Sequence, residues 1–526
     1  MRERSKSFGA IVVASAAAAT TAIYLVFRST YYFPDAMRWE SGIAARGAPV
    51  VWHPHHIIYN PLAMAFHAVL KLFGYGGRLF GAMQIMDALV GGAGLIVTYA
   101  ILRRAAASRP LALAAACASA FSFGYWSYAC NAESVILRTV AAMAVFLAAQ
   151  WAAEREGFRR WGLAALVAGA GVLTHITNVF VLVFLVAAYF LAKPRGYATR
   201  LPWLVLLYFT PAAFVYGVVG FGVLHYAGIG DVARWVFGAP GQSQYYMTYR
   251  LYNVALDFYA LARNFFGLRW AKDVVIGGWT AGYAALAAVV AVSGAALATA
   301  FVGAAVRLLR KGAGRRAAWL AAALFLPHAV FFTFRDAGGI HRWTIQAFAV
   351  LFFIYAGAAA AAPRRFGRVV LYGLPALLFV ANFWGSIYPE SKPENNEHLA
   401  FVRFVDGLTN PGDVVVTSGF GGMGAGIYLT YFAGVEEANI YCGVRDADAF
   451  ERLLEGAVEA GRDVYVSDVR PAVASTDFTA AGAQAEYSVT GAAAAELLAG
   501  YERELVATYR GPRYAPSRFW RLVPRG

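Results

Sequence analysis

Stretches of about 20 mostly apolar residues recur along the first 387 positions, each long enough to cross the hydrocarbon core of a bilayer as a helix. They fall at 8–29, 79–102, 110–128, 135–152, 161–174, 176–192, 203–225, 274–306, 317–334, 343–362 and 369–387, about eleven spans. Length alone would suggest several soluble domains, but only 14 % of the 526 residues are charged, where soluble domains run near a quarter. The chain therefore reads as an α-helical polytopic membrane protein. Three cysteines, Cys117, Cys130 and Cys442, exclude a disulfide scaffold and form no paired-cysteine metal motif. The absence of a Walker A motif leaves ATP-driven transport without support.

Charge divides the chain. Residues 1–387 carry 33 Lys and Arg against 11 Asp and Glu, whereas residues 388–526 carry 12 against 19. The excess of basic residues lies in short loops, so it is explained by topology and not by nucleic-acid binding. Arg103, Arg104 and Arg109 follow the second span, Arg155, Arg159 and Arg160 the fourth, and Lys193, Arg195 and Arg200 the sixth. Arg307, Arg310, Lys311, Arg315 and Arg316 follow the eighth, and Arg364, Arg365 and Arg368 the tenth. Positive loops face the cytoplasm, which predicts a cytoplasmic N-terminus, an uncleaved first span and an extracytoplasmic tail. Only six of the 45 basic residues are Lys, and Ala and Gly are abundant, a bias associated with bacteria, so the expected location is a bacterial inner membrane.

Two units are expected: a transmembrane unit over 1–387 with an outer loop at 30–78, and a small α/β unit over 388–526. In the tail, an amphipathic run from Glu397 to Leu408 leads through the turn Asn410-Pro411-Gly412-Asp413 to the β-rich Val414–Thr417. A 3.6-residue apolar period spans Asp446 to Ala460, and Asp463–Val466 reads as another strand, a pattern that predicts parallel strands. The glycine-rich stretch Gly419–Gly426 follows a strand but lacks a clear acidic partner for a dinucleotide.

The topology puts seven of the 11 acidic residues of 1–387 on the outer side: Asp35, Glu40, Glu133, Asp231, Asp257, Asp273 and Asp336. Asp87 alone lies within a span, where an ionisable group must be partnered or functional. The first outer segment holds Asp35 just past the membrane, Glu40 five residues on, and then His53, Pro54, His55, His56 and Tyr59. A carboxylate here can act as a general base toward a hydroxyl, and imidazole or phenol groups can bind a phosphate or sugar. The alternative is an ordinary solvated loop. Arg138, Arg335, His341 and Arg342 are outer-side phosphate candidates, since Arg offers a planar donor fork. Salt bridges from Arg138 to Glu133 and from Arg335 to Asp336 are the competing readings. His175 and Asn178 interrupt an apolar pair and also face outward. The three clustered imidazoles with Asp35 or Glu40 leave a divalent metal as a further alternative occupant.

A short basic start, one span and a long outer loop with an acidic residue at the membrane resemble the GT-C superfamily of membrane glycosyltransferases. The string from Asp35 to Leu62 is similar to the loop of protein O-mannosyltransferase-like members, and Gly412 to Tyr441 is similar to the start of their soluble unit. Here Asp35 is flanked by Pro34 and Ala36, without the paired acid common in the family, and His55-His56 stands where its bacterial branch usually has Pro-Gly. The resemblance implies a GT-C-like fold and transfer of a hexosyl or pentosyl group from a polyprenyl-phosphate carrier. The acceptor would be a hydroxyl of a protein, lipid or glycan at the outer face. It implies Asp35 as the catalytic base, with Glu40, His53, His55, His56, Tyr59, Arg138, Arg335, His341 and Arg342 binding substrate. A developing phosphate charge needs such donors. The competing functions are a transporter or flippase of lipid-linked saccharide, which would place polar groups at mid-depth, and a structural subunit of an envelope complex.

Overall fold

Lipid offers backbone N–H and C=O groups no partner, so an apolar run must close its hydrogen bonds within itself. The runs do so as helices in the computed structural model of the chain, which describes residues 2–32, 34–155, 157–237, 251–310, 312–335, 338–360, 365–417, 426–439, 447–467, 496–511 and 517–524. After α1 (Arg2–Val26) come α2 (Pro34–Arg46), the single turn α3 (Ala48–Val51), and α4 (Tyr59–Leu72). Next are α5 (Leu79–Arg104), α6 (Arg109–Ala120), α7 (Phe123–Ala129), α8 (Val135–Ala152), α9 (Phe158–Thr174), α10 (Val181–Ala192) and α11 (Tyr197–Gly217). The amphipathic α12 (Ile229–Phe237), α13 (Leu251–Phe265) and α14 (Arg269–Gly277) precede α15 (Ala281–Arg310), α16 (Gly312–Phe334), α17 (Thr344–Ala360) and α18 (Arg365–Asn382).

Among the described residues, eight helical stretches are long and apolar enough to cross a membrane, built on α1, α5, α8, α11, α15, α16, α17 and α18. The other three of the eleven apolar runs are shorter or broken. The run 110–128 divides at Phe121 and Ser122 into α6 and α7, with the Ser122 hydroxyl bonded to the Ser119 carbonyl at 2.7 Å. His175, extended at φ −166°, separates α9 from a 3-10 turn leading into α10. The outer segment expected as a loop is instead largely helical. Pro34 and Asp35 open α2 as a first-turn proline and acid should, and Ala36, Met37 and Trp39 bury one face of it.

Small residues let these helices approach closely, as packing within a bilayer favours. A Cβ on Gly92 would lie 1.9 Å from the Thr21 hydroxyl of α1, and one on Gly91 2.7 Å from Ala129 of α7. Gly169 brings α9 against α11: a Cβ there would meet the Tyr208 carbonyl at 2.0 Å.

Beyond α18 a π-helical turn and the short α19 (Tyr388–Glu390) lead to α20 (Glu397–Asp406), which Asn396 caps by accepting from the His398 and Leu399 amides. The strands β1 (Val414–Thr417), β2 (Glu436–Asn439), β3 (Val464–Ser467), β4 (Tyr501–Tyr509) and β5 (Ser517–Pro524) form one sheet in the order β2-β1-β3-β5-β4. The first three are parallel, with Val415 opposite both Glu437 and Tyr465. The antiparallel pair β5 and β4 extends that sheet beyond the parallel strands read from the sequence. One face is covered by α20 and the other by α21 (Ala447–Glu459), through Val405 against Val415 and Phe450 against Val414. The glycine-rich stretch lies outside the described residues except for Gly426.

The sheet unit seats on the end of the bundle that carries α2. Arg269 of α14 donates to the Tyr31 hydroxyl at 2.8 Å and to the Asn395 carbonyl at 2.7 Å, and Lys272 pairs with Glu397 at 3.0 Å. Met37 of α2 joins the apolar core beneath the sheet. Adding a methyl at the α9–α11 crossing tests the close packing. Gly169→Ala should destabilise the protein by about 1–3 kcal/mol. Gly171→Ala, whose Cβ would meet only ordinary contacts at 3.8–3.9 Å, should not. Melting temperatures of the two variants in one detergent check this.

Candidate active site at the sheet-bearing end of the bundle

Asp87 organises the site from beneath. Its carboxylate accepts from the Tyr59 hydroxyl at 2.7 Å and from the Glu133 amide at 3.0 Å, fixing the start of α4 and the link between α7 and α8. The acid expected within a span is thus bonded to groups of α4 and of the link before α8.

Over this node lies the histidine turn. His53 caps a 3-10 turn, Pro54–His56, and its Nδ1 accepts from the His55 amide at 3.3 Å, which leaves the ring proton on Nε2 free to donate. The His56 ring packs on Trp39 and on His53, each at 4.4 Å between centroids, and faces His175 at 6.4 Å. Both His56 ring nitrogens are buried without a hydrogen-bond partner among the described residues. Burial lowers the pKa of His53 to about 4, against the opposing pull of Asp35, and lowers that of His55 to about 3, helped by the charges of His53, Arg335 and Arg342. His56 is pushed down in the same way. These imidazoles are neutral at physiological pH, so they offer hydrogen bonds and not positive charge.

The carboxylates flank this turn. Asp35 stands in the first turn of α2, paired with Arg38 at 3.5 Å, both side chains more than half exposed. A pair so wet restrains Asp35 only weakly. Glu133 accepts from the Ser134 amide at 3.0 Å and hydroxyl at 3.1 Å. Burial, and next the charge of Asp35, push its carboxyl up to about 8. Burial thus favours the protonated form of the Glu133 carboxyl. Sequence reasoning counted Glu133 among the outer-side acids and weighed it as a partner for Arg138. The short polar link Asn131-Ala132-Glu133-Ser134 between two apolar runs was the signal for a larger role.

The cations come from the other side. Arg138, 1 % exposed, makes no ion pair with Glu133. It donates to the His341 carbonyl and, at 3.0 Å, to the Thr344 hydroxyl, and so holds the turn that carries His341 and Arg342. Arg335 and Arg342 lean over the rings of Phe331 and Phe332. Asp336, the alternative partner of Arg335, lies outside the described residues. Asn178 ties its 3-10 turn to the Arg138 carbonyl at 3.2 Å. Glu40 is directed elsewhere: it accepts from the Tyr431 hydroxyl of the sheet unit and from the Phe80 amide at 3.3 Å. Of the expected residues, the structure gathers Asp35, His53, His55, His56, Arg335 and Arg342. Tyr59 and Arg138 act as supports, and Glu40 joins the two units.

An apolar groove of about 580 Å³ runs between α13, α15, α16 and α17, walled by Phe265, Phe301, Phe325 and Phe353. Asn264 of α13 donates to the Ile340 carbonyl at 2.9 Å, linking one wall to the turn that bears Arg342. Among the described residues, no group of three or more His, Cys, Asp and Glu is arranged to hold a metal ion.

The family model described as dolichyl-phosphate-mannose-protein mannosyltransferase matches residues 61–216. No curated protein matches the sequence. In structure the chain is similar to ArnT from Cupriavidus metallidurans in the apo state, with a TM-score of 0.54, 12 % identity and 98 % of each chain covered. It is equally similar to the same protein bound to undecaprenyl phosphate, with a TM-score of 0.54, 12 % identity and 97 % of each covered. A further match, to the Archaeoglobus fulgidus oligosaccharyltransferase in complex with Zn and sulfate, has a TM-score of 0.49, 13 % identity, and 96 % of this chain and 72 % of that one covered. The superfamily resemblance read from the sequence therefore stands, and the chain is a multi-pass membrane protein with the GT-C glycosyltransferase fold.

Proposed function

We propose that the chain transfers a sugar from a polyprenyl-phosphate carrier to an acceptor hydroxyl at the extracytoplasmic face of a bacterial inner membrane. The observation that carries this reading is the meeting of Asp35, Glu133 and the neutral histidine turn with Arg335 and Arg342 at one end of the bundle. The apolar groove behind the arginine turn suits an isoprenoid tail. The Cupriavidus protein of the same fold binds undecaprenyl phosphate.

In this mechanism Arg335 and Arg342 hold the donor phosphate, and the Nε2–H of His53 and the unpartnered nitrogens of His56 bond its oxygens or the sugar hydroxyls. The acceptor oxygen attacks the anomeric carbon while the carbon–oxygen bond to phosphate breaks, and that electron pair leaves on the polyprenyl phosphate. Asp35 takes the acceptor proton as the new bond forms. The arginines meet charge that grows on the leaving phosphate, so they act more strongly in the transition state than before it. Glu133, protonated near neutral pH, adds a hydrogen-bond donor without placing a second negative charge beside Asp35. Arg138 is a positioning residue, since its donors hold the turn that presents Arg342.

Asp35→Asn removes the basicity and keeps the shape. At so exposed a position it should change stability by no more than about 0.5 kcal/mol, yet slow transfer by about 10²- to 10⁴-fold. Labelled sugar transfer from a polyprenyl-phosphate donor, in membranes with equal amounts of protein, measures this. Full activity would remove the enzymatic reading. Glu40→Gln should lose less, because Glu40 bonds Tyr431 and the Phe80 amide.

The carboxyl of Glu133 gives a pH signature. Its folded pKa, about 8, lies above the ordinary glutamate value of 4.5. Between those values the folded chain binds more protons than the unfolded one, so this group makes stability fall as pH rises. Glu133→Gln should flatten the loss of melting temperature between pH 5 and pH 9. An unchanged slope would mean that Glu133 is ionised throughout.

Topology follows from the basic loops. A reporter active only in the cytoplasm, fused after Gly526, should give no signal, and a strong signal would reverse the proposed orientation.

A further inference from the structure

At the end of the bundle opposite the candidate active site lies a second cavity, of about 320 Å³, where α5, α8, α10, α16 and α17 meet. Its rim carries Arg104, Glu154 and Arg316, and its wall includes Phe184 and Phe352. Glu154 is already shared by two cations, Arg104 at 3.0 Å and Arg160 at 3.8 Å. Arg316 has no ion-pair partner among the described residues. Among the described residues, the rim thus carries two guanidinium groups, Arg104 and Arg316, and one carboxylate that Arg160 also neighbours. The Gln150 side chain donates to the Ile101 carbonyl at 3.3 Å, while its own carbonyl oxygen is buried without a partner. Among the described residues, the cavity therefore joins a rim with more cations than carboxylates, and an unsatisfied polar group, to an apolar wall.

Depth identifies the ligand class. Arg316 and Arg335 lie 19 residues apart on or just past α16, about 28 Å along a helix axis, close to the thickness of a bilayer core. The cavity therefore opens at the membrane surface remote from Asp35. Beside it Arg160 packs on the Trp151 ring at 4.4 Å, a pairing suited to the interfacial zone. A soluble anion would use the rim and leave the aromatic wall bare, whereas a lipid uses both. Basic pockets between membrane helices on the cytoplasmic side suit anionic head groups.

We propose that this cavity binds the phosphodiester head group of an anionic phospholipid in the leaflet opposite the candidate active site. Arg316 and Arg104 meet the phosphate, and an acyl chain lies along Phe184 and Phe352. The Gln150 carbonyl accepts from a head-group hydroxyl. Three of the helices around the cavity reach the candidate site at their other ends. α8 carries Arg138, α16 runs to Arg335, and α17 begins at Thr344 beside Arg342. A lipid seated here braces those three helices against one another, so its binding stabilises the folded bundle by mass action.

The test uses the full chain purified in a neutral detergent. Phosphatidylglycerol should raise its melting temperature in a saturable manner, whereas phosphatidylcholine and inorganic phosphate should not. Arg316→Gln should weaken the phosphatidylglycerol response by about five- to tenfold in half-saturating concentration. Arg159→Gln, an exposed charge on the same surface but outside the cavity, should leave it unchanged. Equal responses in the two variants, or an equal response to phosphatidylcholine, would overturn the site. A full response to inorganic phosphate would replace the lipid with a free anion. As a measurement needing no variant, native mass spectrometry of the unmodified chain should retain one anionic phospholipid, and retention of none would also overturn the proposal.

Discussion

The Asp87 carboxylate, eight residues into α5, receives one hydrogen bond from α4 and one from the link before α8. The helix after the histidine turn and the link before α8 are both referred to that point. Tyr59 begins the helix that follows the histidine turn, and Glu133 stands five residues before Arg138. A buried polar group stripped of its partner costs about 1–3 kcal/mol, so neither element can drift without leaving charge or hydroxyl unsatisfied in an apolar surround. The chain uses its one carboxylate within a span to register a polar roof on a hydrophobic bundle.

The second unit shapes the site from above. α2 is held between two apolar cores: Ala36 and Trp39 pack toward the bundle, and Met37 toward the sheet. Glu40 and Tyr431, together with Arg78 stacked on the Tyr431 ring at 4.7 Å, bind that helix across the junction. On the far side Arg269 and Lys272 of α14 bond Tyr31, which precedes that helix, and Glu397 of α20. Asp35 therefore projects from a helix clamped on both sides. A group that must meet a reacting proton within hydrogen-bond reach benefits from that rigidity.

Burial divides the polar groups by task. The histidines are desolvated to neutrality and Glu133 retains its proton, whereas the side chains of Asp35 and Arg38 lie more than half exposed. Different protonation states within one small region follow from position alone, because a charged form is disfavoured in proportion to its loss of water and to like charge nearby.

Much of this was legible in the sequence because it depends on local pattern. The apolar runs became helices, since lipid leaves an apolar segment no other way to satisfy its backbone. Val414–Thr417 and Val464–Ser467 became neighbouring parallel strands, with the periodic helix Ala447–Glu459 between them in the chain. The outer carboxylates, histidines and arginines were also recognisable, because charge is scarce in such a chain and its clusters stand out. Partners were not recognisable. Arg138 is five residues from Glu133, yet it spends its donors on His341 and Thr344, 203 and 206 residues away. Glu40 resembled a site residue but bonds Tyr431, 391 residues on. The outer loop proved helical because its buried face is supplied by the sheet unit and the bundle. Hydropathy and spacing determined which segments enter the membrane and which polar groups gather outside it. Only tertiary packing decided which of those groups face one another, because hydrogen bonds between distant elements, and the desolvation that tunes their protonation, exist only once the helices have met.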